Sequence, residues 1–119
     1  MKRKTIQWGI IGLGSIAKKF ATDLSTVKDS QLVAVASRSQ QKADKFAFNY
    51  NSKKAYDSYE KLVKDSQVDA VYIATPHRFH KEHTLLCLRH KKAVLCEKPF
   101  AMNLQDVTEM VEVAKEHNV

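Results

Sequence analysis

Residues 5–17 read Thr5-Ile6-Gln7-Trp8-Gly9-Ile10-Ile11-Gly12-Leu13-Gly14-Ser15-Ile16-Ala17, and the fold is decided there. The first seven residues are mostly apolar and rich in β-favouring types, which predicts a strand over residues 5–11. Gly12 and Gly14 then supply a tight turn, and the pattern beyond them predicts a helix from about Ser15 to Leu24. A strand, a glycine turn and a helix in direct succession open a βαβ unit.

The same alternation continues to the end of the chain. Leu32-Val33-Ala34-Val35-Ala36 is a continuous apolar run, expected of a strand covered on both faces. Ser39 is placed to cap a helix carrying Ala43, Phe46 and Ala47 on one face. Lys54-Ala55-Tyr56 predicts a short third strand, and Asp57 with Glu60 has capping-box spacing for a helix through Leu62 and Val63. Residues 68–74 (VDAVYIA) predict a fourth strand stopped by Pro76, followed by a helix from about Phe79 to Arg89. Ala93 to Cys96 predicts a fifth strand. Asn103 caps a last helix with Leu104, Val107, Val111 and Ala114 as its apolar stripe. Short strands alternating with helices predict an α/β domain with a doubly wound parallel sheet of order 3-2-1-4-5. It takes up all of residues 1–119, and the chain leaves its last helix where another strand is expected.

Composition narrows the function. Hydrophobic residues at 44% and charged residues at 28% predict a folded globular chain, since a disordered one is poorer in apolar residues. No apolar run approaches the roughly 20 residues that span a bilayer, and no signal-peptide pattern precedes the first strand, so a cytoplasmic location is expected. Cys87 and Cys96 fit a reducing compartment. The net charge of +7 raises nucleic acid as a partner, but the lysines stand in scattered pairs (Lys18-Lys19, Lys53-Lys54, Lys91-Lys92) without interleaved aromatics. An anionic small ligand accounts for that charge more simply. His80, His83 and Cys87 share a helical face, yet structural zinc takes four ligands and no fourth is evident. No metal is expected, with His80 starting a helix and Cys87 in the core.

Three segments carry chemistry. Gly12-Leu13-Gly14-Ser15-Ile16-Ala17 has the G-x-G-x-x-A spacing of a dinucleotide fingerprint. Gly12 permits the turn, Gly14 lets a pyrophosphate reach the backbone, and Ala17 lets helix and strand pack closely. Ser15 and Ile16 bring the first amides of the helix to the anion. Gly9, inside the strand, is expected to serve close packing. At the end of the second strand, where an NAD-selective fold carries an acid for the ribose 2′-hydroxyl, this chain has Ser37-Arg38-Ser39. A guanidinium pairs with a 2′-phosphate that a carboxylate repels, so the segment favours NADP over NAD. Glu97-Lys98-Pro99 closes the fifth strand, at the sheet end where ligands of open α/β folds bind. A lysine there serves proton transfer once desolvated, but by position alone the stronger reading is an exposed lysine before a turn proline.

Gly9-Ile10-Ile11-Gly12-Leu13-Gly14, then Ala74-Thr75-Pro76-His77 with His80, then Cys96-Glu97-Lys98-Pro99-Phe100 occur in that order. The whole chain resembles the N-terminal Rossmann domain of the glucose–fructose oxidoreductase / inositol 2-dehydrogenase family, most of all its dimeric dihydrodiol dehydrogenase and sugar dehydrogenase branch. The resemblance implies an oxidoreductase moving a hydride between nicotinamide and a sugar, polyol or dihydrodiol hydroxyl. It implies Lys98 at the reacting hydroxyl, Glu97 near the nicotinamide ribose, and Thr75, Pro76 and His77 beside the cofactor. Two departures stand out. Lys91 occupies a helix C′ position where glycine is usual, and the family's second, α+β domain, which walls the substrate, is lacking. A cofactor domain of an NADP-preferring enzyme, inactive by itself, is therefore expected, with homo-oligomerisation left open. A non-catalytic nucleotide-binding or redox-sensing module is the other reading.

Overall fold

The computed structural model describes residues 5–96. Glu97, Lys98 and the helix expected after Asn103 lie outside the described residues. Strand β1 (Ile6–Ile11) leads through the glycine turn into α1 (Ser15–Leu24). β2 (Ser30–Ala36), α2 (Gln40–Tyr50), β3 (Lys54–Tyr56) and α3 (Tyr59–Val63) follow. β4 (Ala70–Ile73) runs into a single 3₁₀ turn (His77–Phe79), then α4 (His80–Arg89) and β5 (Ala93–Cys96). The five strands form one sheet in the order β3-β2-β1-β4-β5, and every neighbouring pair is parallel.

This is the doubly wound α/β topology that the apolar runs predict. A parallel sheet needs helices on both faces, because each strand buries both sets of side chains. On one face, α1 and α2 cover Trp8, Ile10, Val35 and Tyr72 with Phe20, Leu24 and Phe46. Phe20 stacks on Tyr72 at 4.0 Å between ring centroids and meets Trp8 edge-on at 5.3 Å. On the other face, α3 and α4 cover Ile11, Val33, Val71 and Ile73 with Leu62, Val63 and Cys87. Gly9 belongs to this packing. A Cβ on it would stand 2.9 Å from Leu62 Cδ2 and 3.2 Å from Val68 Cγ1, so its hydrogen makes room for α3.

Some boundaries differ from the sequence expectation. The cap of α3 is Ser58, whose hydroxyl accepts the Lys61 N–H at 3.3 Å, and not Asp57. The Asp57 carboxylate instead accepts from the Lys61 ammonium at 2.8 Å; the N-cap lies one residue later than expected, and with Lys61 at N3 no capping box forms. β4 is shorter than residues 68–74, although Asp69 N–H to Gln7 O and Ala74 N–H to Ile11 O continue its bonding to β1 by one residue at each end. Lys91 takes the left-handed conformation (φ 61°) that its C′ position demands. Its N–H bonds to Leu88 O, and the next N–H, of Lys92, bonds to Cys87 O, completing a Schellman turn.

The α3–β4 connection is fixed by two charged groups. Asp65 accepts from Lys54 Nζ at 2.9 Å and from the Tyr56 hydroxyl at 2.7 Å. Burial and the facing carboxylate push the Tyr56 phenol up to about 12. Burial alone would raise the Asp65 carboxyl, but hydrogen bonds from Lys54, Tyr56 and the Gln67 amide outweigh it and hold the group below the usual carboxylate range. The buried Lys92 ammonium donates to the carbonyls of Asp65 and Val68, both at 2.7 Å. Lys92→Met keeps the apolar stem and strands those two acceptors. It should cost about 2 kcal/mol or more of stability, read as a lower urea midpoint at unchanged slope.

Candidate functional site

The carboxyl ends of β2, β1 and β4 meet at one rim of the sheet, and backbone hydrogen bonds tie them there. Gly12 N–H donates to Ala36 O at 3.2 Å, while Ile11 O accepts from Ala74 N–H at 2.8 Å. The two glycines of the turn have opposite surroundings. Gly12 has φ +88°, and a Cβ on it would stand 2.8 Å from Thr75 Cγ2 and 2.9 Å from the Thr75 backbone nitrogen. Gly14 has nothing within 4 Å of an added Cβ, and its backbone is extended (φ −93°). Gly12 is therefore glycine because the fold requires it. Gly14 is glycine at a place where the fold itself leaves room.

That room opens onto the start of α1. Gly14 is the N-cap, no side chain caps the helix, and its first turn holds no acidic residue. Ser15 and Ile16 begin the helix, and Ala17, fully buried, lets it lie close against the strands. Uncapped amides and the positive end of the helix dipole favour an anion at such a terminus.

Two flanking segments complete the rim. After β2, Ser37 is nearly buried and its N–H donates to Tyr56 O. Its hydroxyl accepts the Ser39 N–H at 3.2 Å, and the Ser39 hydroxyl caps α2 through the Lys42 N–H. Arg38, held between these two serines, is exposed and places its guanidinium carbon 5.7 Å from the Phe79 ring centroid. After β4, Thr75 is buried at 7% exposure, next to an exposed Pro76 and the 3₁₀ turn that starts at His77.

Two histidines position Thr75. His80 Nε2–H donates to the Thr75 carbonyl at 2.8 Å, and Thr75 Oγ1 shares a hydrogen bond with His83 Nδ1 at 2.8 Å. His83 is 4% exposed, with the Tyr59 ring edge-on at 4.9 Å and Phe79 stacked at 5.7 Å. Burial lowers the His83 pKa, and the neighbouring Arg38 and His80 add to the effect against the opposing pull of Glu82. The imidazole is thereby kept neutral near pH 7. The sequence gives these histidines helical spacing with Cys87, but their partner is a threonine five and eight residues earlier. Cys87 is fully buried in the core. Among the described residues no cluster of three or more His, Cys, Asp or Glu side chains is arranged to hold a metal ion, and no helix is long and apolar enough to cross a membrane.

The structure thus brings Gly12, Gly14, Ser15, Ile16, Ser37, Arg38, Thr75 and Pro76 to one rim, with His77 following in the chain. Arg78, Phe79, His80 and His83 join them and were not singled out for this site by sequence. Glu97 and Lys98 follow Cys96, whose partner in the ladder is Ile73 at the same rim.

Comparison with known proteins agrees with this geometry. The family model described as "Oxidoreductase family, NAD-binding Rossmann fold" matches residues 6–119. A trans-1,2-dihydrobenzene-1,2-diol dehydrogenase from Mus musculus is 49% identical over 116 residues, which cover 96% of this chain and 35% of that protein. The Xenopus tropicalis protein of the same name is 44% identical, covering 95% of this chain and 35% of its own. The chain therefore spans about a third of the length of these curated relatives. Among solved structures, apo scyllo-inositol dehydrogenase from Lactobacillus casei is similar with a TM-score of 0.75 at 28% identity, covering 99% of this chain and 35% of that one. The 3-ketoreductase KijD10 from Actinomadura kijaniata, in complex with TDP-benzene and NADP, gives 0.77 at 29% identity, covering 97% and 36%.

Two outcomes follow from the rim's geometry. Gly12→Ala must adopt a disfavoured φ against the Thr75 backbone and should lose about 2 kcal/mol or more, measured by urea denaturation. For His83 the folded pKa lies below the unfolded value of about 6.5, so the unfolded chain takes up the proton first. Stability should fall as pH drops below about 6.5 and level off beneath the folded pKa. His83→Asn, which keeps a polar atom for Thr75, should flatten that part of the melting temperature against pH curve; an unchanged slope would assign it to other groups.

Proposed function

Because the chain belongs to the oxidoreductase family with an NAD-binding Rossmann fold, we propose that its rim holds a nicotinamide dinucleotide for hydride exchange with a carbinol carbon. The observation that carries the reading is the contrast between the two glycines. A turn that served packing alone would fill the space beside Gly14, whereas here the space is open at an uncapped helix start. Gly14, Ser15 and Ile16 would hold the pyrophosphate through backbone amides. Thr75, Pro76 and His77 would border the cofactor on the β4 side, and Glu97 the nicotinamide ribose.

Arg38 favours NADP as the cofactor. No carboxylate stands at the end of β2, and Arg38 sits between two serines whose hydroxyls accept backbone N–H groups, Ser37 from Ser39 and Ser39 from Lys42. The structure of the KijD10 neighbour in complex with NADP is consistent with that choice. When bound, the nicotinamide supplies the hydride chemistry, and this chain binds, orients and shields. Lys98, two residues beyond the fifth strand in sequence, would take up the hydroxyl proton as a neutral amine in oxidation and return it as an ammonium in reduction. The relatives' names point to vicinal diols, polyols and keto sugars as the substrate class. The substrate wall would come from sequence of the kind that makes up the remaining two-thirds of those relatives. A hydroxyl has to be held close to nicotinamide for transfer, so residues 1–119 alone should bind cofactor without turning over a diol.

Titration of NADPH and NADH into the chain tests both parts. Arg38→Ala should weaken NADPH by about 1.5–3 kcal/mol and leave NADH nearly unchanged. Gly14→Val should abolish binding of both while thermal stability holds, since the fold has space for the side chain. Normal binding by folded Gly14→Val would overturn the pyrophosphate reading.

A further inference from the structure

Two guanidinium groups meet over one aromatic ring at the rim. Arg38 reaches Phe79 from the end of β2, with Cζ 5.7 Å from the ring centroid. Arg78 reaches the same ring from the 3₁₀ turn after β4, with Cζ at 4.9 Å. Since β1 lies between β2 and β4, the two arginines come from segments on either side of the strand that leads into the glycine turn and converge on one ring. Both are exposed, and among the described residues neither forms an ion pair with a carboxylate.

The ring itself is fixed. Phe79 stacks on His83, which Thr75 holds by its hydrogen bond and Tyr59 meets edge-on. The Phe79 N–H closes the turn on Pro76 O at 2.9 Å. An arginine on a free surface samples many rotamers and loses that freedom when it binds. A guanidinium resting on an anchored ring has lost part of it in advance, at a cost offset by cation–π attraction. Two such groups repel each other until a dianion arrives, and a phosphate monoester provides both the charge and the oxygens for two forked donors.

We propose that Arg78 is a second specificity-determining residue, which clamps the 2′-phosphate of NADP together with Arg38. Phe79 is the positioning residue that presents both. This rests on the reading of the rim as an NADP site. It extends that reading from the strand β2 segment, where the determinant is expected, to the β4 side.

The test is calorimetric titration of adenosine 2′,5′-bisphosphate, AMP, NADPH and NADH into the full chain, as wild type, Arg38→Ala, Arg78→Ala, Arg78→Lys and Phe79→Leu. Arg78→Ala should weaken the bisphosphate and NADPH about tenfold, with AMP and NADH unchanged. Arg78→Lys should recover part of the loss, as a point charge without the fork. Phe79→Leu should weaken the same two ligands about twofold to fivefold. If Arg38→Ala loses NADPH and Arg78→Ala does not, the clamp is overturned and the NADP reading stands. Equal losses of AMP and bisphosphate in Arg78→Ala would place Arg78 on the adenine or the 5′-phosphate and also overturn it. If neither arginine variant affects NADPH, both the clamp and the NADP preference fall.

Discussion

The close approach of Gly12 to Thr75 is the constraint on which the rim depends. An atom larger than hydrogen at Gly12 would enter the van der Waals envelope of Thr75, so the first turn and the loop after β4 are fitted to each other at backbone distance. The fit is reached because β1, after one register shift against β2 between Trp8 and Gly9, pairs with both neighbours to its last residue: Ile11 with Ala36 on one side and Ile73 on the other. One more hydrogen bond on each side, Gly12 to Ala36 and Ala74 to Ile11, carries the ladder into the turn itself. The segments beside α1 are thus set by the sheet before any side chain at the rim is considered.

Everything at the rim that bears charge is then positioned at one remove. Thr75 is pressed on Gly12, His83 is bonded to Thr75, Phe79 stacks on His83, and Arg38 and Arg78 lie over Phe79. The chain of contacts runs from rigid backbone to mobile guanidinium in four steps. A neutral His83 suits this arrangement. A third cation beneath the ring would add repulsion to a pair of arginines that is already unbalanced, and burial suppresses it.

How much of this the sequence displays depends on the range of each interaction. The five strands and their order are legible because continuous apolar runs and βαβ handedness are strong, local signals. Gly12 and Gly14 are legible as a pair, and the fingerprint spacing already assigns the turn to Gly12 and the open approach to Gly14; what it does not display is that Thr75 is the neighbour that crowds Gly12. The cap of α3 lies one residue beyond the expected Asp57 because Asp57 and Ser58 are both competent caps; Ser58 takes the Lys61 N–H and Asp57 the Lys61 ammonium. Thr75 stood out through resemblance alone. His83 did not stand out as its partner, since the bond crosses from a loop to the second turn of α4 and competes with a helical-face pattern that suggests metal ligands. Arg78 and Phe79 carry no motif, and their meaning arises only when β2 and β4 are brought to either side of β1.

The sheet's far edge shows how an unfavourable local choice can serve register. Lys91 holds a left-handed backbone that glycine would adopt without strain, a cost of about 1 kcal/mol or more for a residue with a Cβ. The next residue, Lys92, turns inward there and bonds the carbonyls of Asp65 and Val68, while Ala93 N–H bonds Asp69 O. Those three bonds fix where β5 starts against β4, and the ladder from Ala70–Ala93 to Ile73–Cys96 follows without a slip. A shift of one residue would exchange the two faces of β5, taking Val94 from the α3–α4 core and Leu95 from the other. It would also change which residue of β5 ends opposite Ile73. A buried ammonium more than twenty residues from the carbonyls it binds therefore helps set the register from which the proposed proton-transfer lysine departs.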